Sequence, residues 1–72
     1  MSIFETYQRE IAEVCKKVRE TRSMAKVIAS DGAEIYGYPR ARDRVAWSVN
    51  AADGFNILRG IRLPDGSDIA VH

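Results

Sequence analysis

The sequence predicts an α+β fold: one long N-terminal amphipathic helix packed on a four- to five-stranded antiparallel sheet, in two layers. Three observations carry that reading. Residues 2–24 contain neither glycine nor proline and repeat their apolar positions with helical period. Beyond residue 25 the chain breaks into short segments of strand composition. Between those segments lie the turn signals Asp31-Gly32, Asp53-Gly54 and Pro64-Asp65-Gly66-Ser67.

The helix is expected over 3–23. Phe4, Tyr7, Ile11, Val14 and Val18 are spaced three or four apart, with Ile3, Cys15 and Ala25 widening the stripe. Residues at that spacing stack on one face, so the helix has one side to bury. Ser2 and Glu5 have the spacing of a capping box. Glu5 with Arg9, and Glu13 with Lys17, stand in the favourable order for exposed pairs. A helix over 3–23 is about 31 Å long at 1.5 Å per residue. A domain of 72 residues has a radius of gyration of about 11 Å, so the helix must cross its whole width, with the last turns free to protrude.

Strands are expected at Lys26–Ser30, Ala33–Tyr38, Arg44–Asn50, Phe55–Leu63 and Asp68–His72. Asp31-Gly32 has the form of a two-residue hairpin turn. In Arg44–Asn50, Val45, Trp47 and Val49 alternate with Arg44, Ala46, Ser48 and Asn50. Ala41, Val45, Ala46, Val49 and Ala52 would also fit a short helix, but the β-branched and aromatic content favours a strand. Phe55, Ile57, Ile61 and Leu63 share one parity, with Arg62 on the other side. Gly37 and Gly60 within strand patterns point to bulges or close backbone approach. Pro39–Arg44 is the one connecting loop of distinct composition.

Composition bounds the function. The 72 residues form one expected domain, 46% hydrophobic and 29% charged with net charge +1, as in ordinary globular proteins and unlike disordered ones. No apolar run exceeds three residues, so no membrane span is expected, and the N-terminus lacks the pattern of a signal peptide. One cysteine forms no internal disulfide, which points to a reducing cytoplasm.

Catalytic and metal chemistry find little support. One histidine, His72, and one cysteine, Cys15, do not make a zinc site, and no cofactor is expected. Cys15 lies on the apolar stripe, where a free thiol behaves as a small hydrophobe. Asp31, Asp53, Asp65 and Asp68 read as turn residues bonding their own backbone. The five glycines are too scattered for a phosphate-binding loop. An enzyme is not expected.

Two surfaces stand out. If the segment stays extended, Tyr36, Tyr38, Arg40, Arg42 and Arg44 project to one side. Tyrosine and arginine are enriched at interface hot spots and also serve stacking and phosphate contacts. The plainer alternative is tyrosines packed on the helix and arginines on a solvated loop. The second surface is the basic block from Lys16 to Lys26, five bases against the single acid Glu20. In it Lys16, Arg19, Arg22 and Lys26 would cluster if helical spacing continued. Its plainer reading is complementarity to the helix dipole. Residues 27–72 hold five bases and six acids, and the isoelectric point of about 7.9 is below that of dedicated DNA-binding domains.

The expectation is therefore a non-catalytic protein-interaction module. It would be a regulator or inhibitor docking onto a larger machine of the bacterial or phage-related kind that small chains often serve. The alternatives are a nucleic-acid-binding protein using residues 16–26 and 40–44, and an assembly subunit that self-associates through the helix stripe as a homo-oligomer.

Overall fold

Helix α1 (Ile3–Thr21) lies across one face of a five-stranded antiparallel sheet in a computed structural model that describes residues 2–71. The strands β1 (Ala25–Ile28), β2 (Glu34–Arg40), β3 (Arg44–Asn50), β4 (Asn56–Arg62) and β5 (Asp68–Val71) follow one another in spatial as well as chain order. The α+β architecture is the one the sequence predicts. Among the described residues no helix is long and apolar enough to cross a membrane.

Ser2 caps the helix, its Oγ accepting the Glu5 N–H at 3.1 Å. The far end comes two residues earlier than the expected 23. Arg22 takes a left-handed backbone (φ 56°) and donates its N–H to the Val18 carbonyl at 2.7 Å. Thr21 and Ser23 explain the early stop: Thr21 Oγ1 donates to the Lys17 carbonyl and accepts the Ser23 N–H, a local bonding pattern that competes with helix continuation. The shortened helix is about 28 Å long against a longest dimension of 31 Å, so it crosses the fold without overhanging it.

The helix stripe meets the inward side of the sheet. Ile11, Val14, Cys15 and Val18 pack with Val27, Ile35, Val45, Trp47 and Val49 in one buried cluster. Both strand glycines mark close approach. A Cβ on Gly37 would stand 2.8 Å from Val18, and one on Gly60 would stand 2.4 Å from the Trp47 ring. Trp47 therefore lies against a gap in the neighbouring strand, with the Phe4 ring 5.9 Å away between centroids. Its indole Nε1 donates to Asp68 Oδ1 at 3.0 Å. Arg62 completes the group, with Nε and Nη2 reaching the two carboxylate oxygens of Asp68 at 2.9 and 2.8 Å. Asp68 thus belongs to a strand and a forked ion pair, and does not play the turn role expected of it. The helix packs on β1 to β4 and not on β5, so this polar group, which bridges β3, β4 and β5, lies at the margin of the area the helix covers.

Strand β4 departs from its expected parity. The β3–β4 register shifts next to Val49 and Asn50, which pair with Leu58 and Asn56. Ile57 is the extra residue, and both Ile57 and Leu58 pack against the core. From there on the faces are exchanged: Leu58, Gly60 and Arg62 face the helix and Ile61 the other side, while Phe55 is left 71% exposed. A slip of one residue turns every later side chain over.

Three hairpin turns repeat one device. Ala29 and Ala33, Ala51 and Phe55, and Leu63 and Ser67 close three-residue loops, with Gly32, Gly54 and Gly66 at φ 89°, 95° and 91°. In each, the aspartate before the glycine accepts the N–H two residues on. The first is therefore a three-residue turn and not the expected two-residue one. The β2–β3 turn is different. The expected loop Pro39–Arg44 is largely strand, with only residues 41–43 between β2 and β3. There Arg42 and Asp43 both hold left-handed backbone at φ 63° and 57°.

Gly60→Ala should cost about 1–3 kcal/mol by overpacking against Trp47, and Trp47→Ala about 3–5 kcal/mol. Chemical denaturation of both variants checks the pair. Arg42→Gly should instead stabilise by about 0.5–1 kcal/mol, because the left-handed region is strained for residues with a Cβ.

Candidate functional site

The helix covers one side of the sheet, so the alternate residues of every strand form a second, uncovered side. Its layout follows from the register, because residues opposite one another across strands share a face. One row runs Lys26, Tyr36, Ser48 and Arg59 across β1 to β4. The next runs Tyr38, Ala46, Ile61 and Ile69 across β2 to β5. Beyond it Arg40 and Arg44 face each other beside the odd turn. An apolar row is thus bordered by Arg59 on one side and by Arg40 and Arg44 on the other. Tyr38 and Ile69 are 44% and 52% exposed. Tyr38, Ala46, Ser48, Arg59 and Ile61 line a shallow depression of about 300 Å³.

The predicted site residues do not stay together. Tyr36, Tyr38, Arg40 and Arg44 do share one face, whereas Arg42 sits in the turn. Tyr36 is already engaged: its hydroxyl donates to Glu34, and Lys26 Nζ stands 5.8 Å from its ring centroid. The Glu34 carboxylate beside it raises the Tyr36 hydroxyl above its ordinary pKa. The basic block does not form one patch. Lys26 lies on β1, with Nζ 3.9 Å from Glu34, while Lys16 is exposed on the helix. The early helix stop and the turn into β1 separate them.

Arg19 and Arg22 come instead to Arg40 and Arg44. The four line a second cleft of about 380 Å³ between the helix C-terminus and the β2–β3 turn, with Asp43 as its acid. Arg19 is anchored there by Nη2, which donates to the Leu63 carbonyl at 2.8 Å. Among the described residues, none of these four arginines has a carboxylate within ion-pair distance.

The periodicity concealed Arg59, Ile61 and Ile69. Continued parity placed Ile61 inward, and only the bulge at Ile57 brings it and Arg59 to the uncovered side. A signal was present in the sequence: the adjacent apolar pair Ile57-Leu58 just after a turn, which strict alternation does not accommodate.

Cys15 is 2% exposed, and burial pushes its thiol up to about 11, offset in part by the Arg62 and Arg19 charges. It is a protonated core residue at neutral pH. Among the described residues no group of three histidine, cysteine or carboxylate side chains is placed to hold a metal ion, and His72 lies outside the described residues. The chain matches no protein-family profile, no curated protein and no solved structure.

Cys15 should resist a disulfide reagent at pH 8 in the native protein and react fully once denaturant is added, as followed by thiolate release. Prompt native reaction would contradict the buried, raised thiol.

Proposed function

We propose that this chain is a non-catalytic interaction module that docks onto a larger protein through the uncovered side of its sheet. One observation carries the reading: the apolar row Tyr38, Ala46, Ile61 and Ile69, bordered by Arg40, Arg44 and Arg59. An apolar centre with an arginine and tyrosine surround is the composition of interface hot spots. Such a module acts by occupying a partner's surface, as a regulator or inhibitor of a bacterial or phage-related machine does. A reducing compartment such as the cytoplasm suits its lone buried thiol.

A nucleic-acid partner draws support from the unpaired arginines, which suit phosphates. Against it, the Tyr36 ring is covered on one face by Lys26 and its hydroxyl is tied to Glu34, which leaves Tyr38 as the one free tyrosine of the pair. Self-association through the helix stripe is disfavoured by packing, since Ile11, Val14, Cys15 and Val18 are buried on the chain's own sheet.

Tyr38→Ala combined with Arg59→Ala should leave the unfolding transition in place and abolish capture of the protein partner in a pull-down. Both side chains are exposed, so the fold does not depend on them. Capture should survive nuclease treatment. Binding lost to nuclease, with log affinity falling linearly in log salt between 50 and 200 mM, would favour nucleic acid instead.

A further inference from the structure

The four-arginine cleft at one end of the sheet has no counter-charge sufficient to balance it. Arg19 and Arg22 come from the last turn and cap of α1, Arg40 and Arg44 from the ends of β2 and β3. Arg40 and Arg44 are direct cross-strand partners, an arrangement of like charges that opposes pairing. The turn between them is the one hairpin of the four without glycine, and Arg42 and Asp43 hold left-handed backbone there. Two local rules are thus broken at one place, while the other three turns obey them. Such conflicts concentrate where a surface serves recognition more than stability.

We propose that this cleft takes an acidic segment of the protein partner, its carboxylates held by the forked guanidinium groups. The proposal rests on the docking reading above and names the chemistry of the docked chain. Guanidinium forks match carboxylates bidentately and are weakly hydrated, so they suit a semi-enclosed site. The rest of the lining is apolar, with Val18, Pro39, Val45 and Pro64, which suits a peptide in which acidic and aliphatic side chains alternate. Arg40 also lines the depression on the uncovered face, and Arg44 borders the apolar row from the cleft side. A single segment that leaves the cleft reaches that row by passing around the end of the sheet beside Arg40 and Arg44. Asp43 alone opposes it.

The test is a titration of isotope-labelled protein, followed through its amide resonances, with two probes. One is a six-residue blocked peptide alternating glutamate and leucine; the other is decathymidylate. The peptide should shift amides around Arg22 and from Arg40 to Val45 saturably. Arg22→Glu and Arg44→Glu, on different elements, should each weaken it at least tenfold. If one variant fails to fold, the other still decides. No saturable shift at millimolar peptide overturns the proposal, as does tighter binding of decathymidylate, or unchanged affinity in a folded variant. Partner capture that survives Arg22→Glu but fails in the Tyr38→Ala, Arg59→Ala double variant would remove the cleft and leave the sheet-face reading standing. Capture unaffected by either would remove both.

Discussion

One helix against five strands is the constraint on which this structure depends. The 19 residues of α1 cover the inward side of the sheet from β1 to β4 and leave the other side without a second layer. A sheet needs at least one face buried to be stable, and here the available apolar residues are concentrated on that face. Trp47 is the largest of them. It needs Gly60 opposite, because any Cβ there would overlap its ring, and it needs Phe4 from the first turn of the helix. The uncovered side then carries whatever remains: tyrosines, arginines, small polar residues and the isoleucines of β4 and β5.

At the margin of the helix's cover, where β5 meets β4, a polar group takes the place of further hydrophobic packing. Asp68 receives two donors from Arg62 and one from Trp47, with both charged side chains about 15% exposed. A half-buried pair of this kind holds geometry more than it adds net stability, since the desolvation of both ions offsets much of their attraction. Its structural effect is to fix β5 against β4 and hence the row that ends in Ile69. Placement of the outer surface is therefore set partly by contacts on the opposite side of the sheet.

Much of this was legible in the residues. The helix stripe, the capping serine, the inward parity of β3 and the aspartate-glycine turns follow from local spacing, and local spacing is what a sequence displays directly. The uncovered face was half legible: Tyr36, Tyr38 and Arg40 alternate along β2, and Arg44 follows across one turn. Arg59 and Ile61 were not, because a one-residue bulge reverses parity without changing composition. The arginine cleft was hidden for another reason. Arg19 and Arg22 lie about twenty positions from Arg40 and Arg44, and only the packing of the helix end against the β2–β3 turn brings them to one place. The basic block from Lys16 to Lys26, continuous in sequence, divides where Thr21 and Ser23 end the helix.

In the function proposed above, the face without a helix is the docking surface. Hydroxyl-radical footprinting of the chain, alone and in complex with the protein it captures, reads this directly at side-chain level. Docking through that face should cost Tyr38, Ile61 and Ile69 their oxidation in the complex while exposed Met24 and Ile3 keep theirs. Protection confined to the outward side of α1, with Tyr38 and Ile69 oxidised as in the free protein, would contradict it.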